Sequence, residues 1–257
     1  MGILNVSNNS FYDGGKFISK DAILKQADKM LTEGATMLDI GGMSTNPKAN
    51  LLTVNEELKN IEQPFSLLQQ YFPDAILSID TFRSEVATAA IQLGATVIND
   101  ISGGDEDKQL FNVAAKYHCP YIMMHRRGDF MTMHQPVEYQ HFLAEIIDDF
   151  TRKIAVATEA GVTDIIIDPG FSFSKSLEQN YYLLKNLAIL NVFERPLLSG
   201  ISRKSMLYKV LNITAHEALN ATTAANMVAL TNGALILRVH DVKEAVECIT
   251  IFNQLNK

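Results

Sequence analysis

Residues 75–100 read AILSIDTFRSEVATAAIQLGATVIND. An apolar run from Ala75 ends in Asp80, an amphipathic stretch follows and closes on Gly94, and a second apolar run from Thr96 ends in Asn99-Asp100. Short apolar runs bounded by polar residues read as buried strands, and a glycine after an amphipathic stretch reads as a helix C-cap. The unit is β-α-β, and each strand finishes on a polar side chain. Outward from it the pattern recurs, with strand candidates beginning near Gly2, Thr36, Ala75, Thr96, Tyr121, Asp164, Pro196 and Ala234. The mean repeat is roughly 33 residues, a usual βα length. Lys20 to Glu33, Glu56 to Tyr71, Phe142 to Ala160 and Thr214 to Leu230 carry apolar residues at helical spacing, and Gly34, Gly161 and Gly233 repeat the C-cap signal. Eight pairs without a linker predict an α/β fold, a single domain over residues 1–257 closed as a (β/α)8 TIM barrel, because closure removes both sheet edges. An open doubly wound sheet is the alternative, but no strand runs into GxGxxG. GFSFSKS at 170–176 is not a phosphate loop, since Ser174 stands where the glycine before Lys175 is needed.

The chain has 257 residues, long enough for one such barrel, and its 47% hydrophobic and 20% charged content is that of a globular protein rather than a disordered or fibrous one. A net charge of −7 disfavours nucleic acid, whose binding runs on summed positive charge. The longest apolar runs are strand-length, so no membrane span is expected, nor is a secretory leader. Cys119 and Cys248 are isolated, which suits a reducing cytoplasm and argues against structural zinc.

In a barrel, catalytic groups stand at the C-terminal strand ends and in the loops that follow. Here those ends are Asn5, Asp39, Asp80, Asn99-Asp100, His125, Asp168, the string Ser202-Arg203-Lys204-Ser205, and Arg238-Val239-His240-Asp241. Asp80, Asn99 and Asp168 suit a flat heterocycle offering several N–H donors, and Lys204 suits a ring carbonyl or nitrogen. Arg238, His240 and Asn5 form a second group, suited to phosphate oxygens or a divalent metal. The site reads as bipartite.

MGILNVSNNSFYDGG, SIDTFR, VINDISGG, YIMMHRRG, IIIDPGF, GISRKS and LRVHDV together resemble, in order, the motifs of the dihydropteroate synthases. The resemblance implies a cytoplasmic (β/α)8 transferase of folate biosynthesis, a homodimer and a sulfonamide target. It would condense 7,8-dihydropterin-6-ylmethyl pyrophosphate with 4-aminobenzoate, using Mg2+ and releasing pyrophosphate. It implies a pterin pocket of Asp80, Asn99, Met124, Asp168, Phe173 and Lys204. Pyrophosphate would fall to Asn5, Thr45, Arg238 and His240, with Asn5 at the metal, and 4-aminobenzoate to Phe11, Pro47, Lys204 and Ser205, the last near the start of a short helix. The catalytic group would be Asp80, Asp168, Lys204, Arg238 and His240, and the first two loops would close as a lid.

The chain departs from the family in its loops. TPDSF becomes Ser7-Asn8-Asn9-Ser10-Phe11, and Asn46 replaces the arginine of STRP. DPGFGFGK becomes DPGFSFSK, with Ser172 and Ser174 for glycines, and the family's short N-terminal hairpin is not expected ahead of the first strand. The altered second-substrate half leaves two other readings: a pterin-binding paralogue without this turnover, and a pterin-dependent methyltransferase domain, which gives no reason for SRKS or RVHD. Arg126-Arg127 reads as a solvated pair. His118, His134, His141 and His216 read as surface or packing residues, as do Met123, Met131 and Met133. Lys204 is preferred to Lys175 as a site residue.

Overall fold

The structure is a computed structural model that describes residues 1–6, 19–44 and 50–257. Among the described residues eight strands form one parallel sheet in sequence order: β1 (Gly2–Asn5), β2 (Met37–Gly41), β3 (Ile76–Asp80), β4 (Val97–Asp100), β5 (Tyr121–Met124), β6 (Ile165–Asp168), β7 (Leu197–Ser199) and β8 (Ala234–Leu237). The seam between β8 and β1 is closed by Ile3 N–H donating to the Val239 carbonyl at 2.9 Å and Val239 N–H to that of Met1 at 2.9 Å. The sheet is thus a (β/α)8 barrel, as the repeat predicts.

The outer layer is α1 (Lys20–Thr32), α2 (Val54–Tyr71), α3 (Ser84–Gln92), α4 (Gln109–Tyr117), α5 (Phe142–Glu159), α6 (Leu177–Lys185), α7 (Ser205–Leu211), α8 (Leu219–Thr231) and α9 (Val242–Leu255). Local chemistry sets their ends. Thr53 with Glu56 and Ser176 with Gln179 form capping boxes that start α2 and α6. Gly34, Gly94, Gly161 and Gly233 take the left-handed conformation that stops a helix cheaply. The helical stretch read from Thr214 begins instead with a 3-10 turn, Ala215–Glu217, before α8.

Period-two alternation sorts the strand residues into two sets. Leu38, Ile40, Leu77, Ile79, Ile98, Tyr121 and Ile167 face the helices in the main core. Each fully buried one contributes about 2 kcal/mol. Val97, Ile122 and Leu198 plug the barrel interior. The same alternation turns Asp39, Ser78, Asp80, Asn99 and Asp168 inward. β2 runs to Gly41, two residues past the strand end read from sequence, so Asp39 lies within the strand and wholly buried.

Candidate active site

Strand register builds the floor of the mouth. Asp80 stands opposite Gly41 on one side and Asn99 on the other, and Met124 stands opposite Asp168. Asp39 accepts from Ser78 Oγ at 2.6 Å and from Asn99 Nδ2 at 3.0 Å. Arg238, the residue after β8, crosses the mouth and donates from Nε to Asp39 at 2.7 Å and from its terminal nitrogen to Asp80 at 2.6 Å. The two groups that the sequence separates are therefore one network, with Arg238 as the link. Burial pushes Asp80 up to about 7, aided by the charges of Asp39, Glu57 and Asp100 and opposed by Arg238. Burial acts to lower Arg238, but Asp39 and Asp80 outweigh it and hold the guanidinium above its ordinary value.

The opposite wall is the loop after β6. Asp168 accepts from the Gly170 N–H at 2.8 Å, and burial raises it above the usual carboxylate range against the pull of Lys204. Lys204 donates to the Phe171 carbonyl at 2.8 Å and lies 4.6 Å over the Phe173 ring. Burial pulls it down to about 8, partly offset by Asp168. Gly200 lies between them: a Cβ there would stand 3.9 Å from both Asp168 Oδ2 and Lys204 Nζ. Met124 and Phe173 belong to an apolar cluster with Met43, Phe82, Ile101 and Phe130, a dry surface beside the acids.

A cavity of about 560 Å³ opens on this ground, lined among others by Asn5, Phe173, Lys204, Ser205, Arg238 and His240. Asp80, Asn99 and Asp168 are buried behind Arg238 and Lys204 rather than in its wall. His240 Nδ1 is 3.0 Å from Ser202 Oγ, and burial, with the Arg238 charge, drops the imidazole to about 4, so it is neutral near pH 7. Ser205 opens α7, the short helix expected there.

Residues 1–240 match the family model described as pterin binding enzyme. The dihydropteroate synthase of Escherichia coli (strain K12) is 40% identical over 253 residues, covering 98% of this chain and 89% of that protein. The Yersinia pestis dihydropteroate synthase, solved with a sulfonamide drug, superposes with a TM-score of 0.93 at 39% identity, covering 99% of this chain and 93% of that one. The Coxiella burnetii enzyme in complex with pteroic acid gives 0.89 at 34% identity, covering 100% and 92%. The chain belongs to the dihydropteroate synthase family.

Of the residues that the family resemblance names, the structure gathers Asn5, Asp80, Asn99, Met124, Asp168, Phe173, Lys204, Ser205, Arg238 and His240 at one barrel mouth. Phe11, Thr45 and Pro47, with Asn9 and Asn46, lie outside the described residues. One reading needs correction. Arg126 is 3% exposed and not solvated: it donates to the Ile101 and Gly128 carbonyls and to Glu106, tying the loops after β4 and β5 together. His134, read as a surface or packing residue, packs on Phe173 at 5.0 Å and lines the cavity. Asp39 was visible as a polar strand residue, but only its register shows it as the second anchor of Arg238. Lys175 is buried beneath the loop that Lys204 contacts.

Proposed function

We propose that this chain transfers the pterin-6-ylmethyl group of 7,8-dihydropterin-6-ylmethyl pyrophosphate to 4-aminobenzoate, giving 7,8-dihydropteroate and pyrophosphate in folate biosynthesis. One observation carries the reading: buried Asp80 and Asp168, with Asn99, back a mouth whose exposed edge is cationic. Carboxylates and an amide accept from the N–H edge of the pterin, and Lys204 donates to its acceptors. Met124 and Phe173 offer apolar faces to the ring.

The C–O bond to pyrophosphate breaks and its electron pair leaves with the phosphate oxygen. The arylamine nitrogen then forms the new C–N bond and gives up one proton. No enzyme nucleophile is needed, so the residues manage charge. Asp80 and Asp168 favour the positive charge that develops on the pterin as the bond breaks. Arg238 meets the departing anion, and neutral His240, oriented by Ser202, contributes a hydrogen bond rather than a charge.

Asn5 lines the cavity beside Arg238 and His240, and its Oδ1 is 3.4 Å from where a Gly41 Cβ would stand. Among the described residues no group of three or more His, Cys, Asp and Glu gathers as for a metal ion. A single amide oxygen fits Mg2+, which keeps several waters and takes substrate phosphate oxygens in place of an all-protein cage. Asn5 would hold the ion, which when bound supplies charge to the leaving pyrophosphate. The arylamine would pack against Lys204 and Ser205, with Phe11 and Pro47 completing its pocket and Thr45 near the pyrophosphate.

The chain acts as one domain in the cytoplasm, where its two free cysteines, both buried, need no pairing. No helix among the described residues is long and apolar enough to cross a membrane. A homodimer is the expected assembly. Tyr182, Val210, Leu211 and Val228, on α6, α7 and α8, are exposed apolar residues a second copy can cover. The solution mass should be twice 28.5 kDa and fall to that value in Leu211→Asp. The reaction is tested by following pyrophosphate release from both substrates with Mg2+. Release that requires 4-aminobenzoate is the expected result, and pterin binding without release favours the non-catalytic paralogue.

A further inference from the structure

The loop after β6 is coiled by an alternation that few sequences tolerate: Gly170, Ser172 and Ser174 have φ of 68°, 67° and 54°. Every second residue is left-handed, and three carbonyls within four residues accept from lysine ammoniums. Lys204 takes that of Phe171. Lys175, 4% exposed, takes those of Gly170 at 2.9 Å and Phe173 at 3.0 Å, the pair that brackets it. The Lys175 ammonium also meets His125 Nδ1 at 3.0 Å and, more distantly, the His125 carbonyl at 3.4 Å, which ties the β6 loop to the end of β5. There is little slack, because a Cβ on Gly170 would stand 2.0 Å from the His125 carbonyl oxygen.

We propose that Lys175 is a positioning residue: its ammonium fixes the β6 loop so that the Phe171 carbonyl and the Phe173 ring hold Lys204 in its pterin-binding position. The inference rests on the reading of Lys204 as a pterin ligand. A methionine would fill the same space without the desolvation cost of a buried cation, so the lysine is there for its three donors. Burial pulls Lys175 down to about 7, with Asp168 opposing and Lys204 and Lys153 adding to the shift. His125 is lowered well below its ordinary value by burial and the charges of Lys175, Lys153 and Arg127, so its neutral ring accepts at Nδ1. Asp149 is the remaining charge near the pair.

The test is a double-mutant cycle between Lys175→Met and Lys204→Met, read as steady-state kinetics on the purified enzyme. Lys175→Met should raise KM for the pterin pyrophosphate about tenfold, the scale of one charge-assisted hydrogen bond. A simple loss of folded protein would instead lower kcat and leave KM alone. In the Lys204→Met background the same change should add less than about twofold, since its effect runs through Lys204. An unchanged KM for Lys175→Met, or the same tenfold loss in both backgrounds, overturns the inference while leaving the pterin site standing. If Lys204→Met alone leaves KM unchanged, the assignment of Lys204 fails and this inference with it. Should Lys175→Met fail to fold, Lys175→Gln, which keeps two donors for the Gly170 and Phe173 carbonyls, should hold KM within about twofold of the parent, and a tenfold rise in KM for that variant overturns the inference.

Discussion

The two walls of the mouth are built by different means. On one side Asp39, Asp80, Asn99 and Arg238 sit on or directly after strands, fixed by ladder register and bound to one another by hydrogen bonds and ion pairs. On the other, Asp168 ends β6 and the segment that follows it to Lys175 is a loop whose shape is imposed by side chains: Asn180 on the Ser172 N–H at 2.6 Å, Ser174 Oγ on Arg127, and two lysines on its carbonyls. The strand wall spends its polar groups on each other. The loop wall spends them on its own backbone. Substitutions on the first side should therefore show up in stability as well as binding, and on the second mainly in binding.

The sharpest break of that comparison is Arg238→Met, which leaves Asp39 and Asp80 buried without their cation. A loss of about 3–5 kcal/mol in unfolding free energy is expected from denaturant titration. Adding Asp39→Asn should recover part of it, because one of the two orphaned charges is then removed. Asp168→Asn tests the loop wall. Its expected signature is a pterin affinity lower by about 100-fold by calorimetry, with stability changed by less than in Arg238→Met, since charge-assisted hydrogen bonds are worth about 2–3 kcal/mol. Equal destabilisation by the two variants would erase the distinction.

The walls should also separate in pH. Asp80, raised to about 7, gains its charge only as pH climbs through that value, and Lys204, lowered to about 8, keeps its charge only below it. If the pterin needs the carboxylate and the ammonium together, affinity rises through about pH 7 and falls beyond about 8. Asp80→Asn should remove the acid limb and Lys204→Met the alkaline one, in affinity measured from pH 5.5 to 9.5 (~4 units, wide enough to bracket both).

The smallest expected effect divides two serines of the same loop. Ser174 answers its left-handed backbone by donating to and accepting from the Arg127 backbone. Ser172 Oγ is buried with no hydrogen-bond partner among the described residues. Glycine at 172 relieves both costs and should raise stability by about 1 kcal/mol, whereas glycine at 174 forfeits the clamp and should lower it. Opposite shifts in Tm of about 2–4 °C are the readout.

The same contrast explains what could be read from the sequence. Strand ends announce themselves, because an apolar run broken by an acid at a regular interval has few meanings, and Asp80, Asn99 and Asp168 were found that way. Even so, Asn99 and Asp100 are adjacent polar residues with opposite fates. Asn99 turns into the barrel, while Asp100 turns out to bind the Tyr121 hydroxyl and the N–H groups of Ser102 and Gly104. Period two allows one of them to be the site residue and register decides which. Asp39 was underrated for the same reason, since its worth depends on Arg238, 199 residues away. The burial of Arg126 and Lys175 is harder to read, because most of their partners are backbone carbonyls, contacts that leave no period or spacing. The role of His240 is legible from its place after strand 8, whereas that of Ser205 comes from motif resemblance rather than from spacing.

A crystal structure of this chain with pteroic acid tests the convergence of the two walls most directly. The pterin ring is predicted to lie within hydrogen-bonding distance of Asp80, Asn99, Asp168 and Lys204 together, with Phe173 and Met124 against its faces. A ring bound outside that mouth, or touching one wall while leaving the other's acid unengaged, would contradict the account.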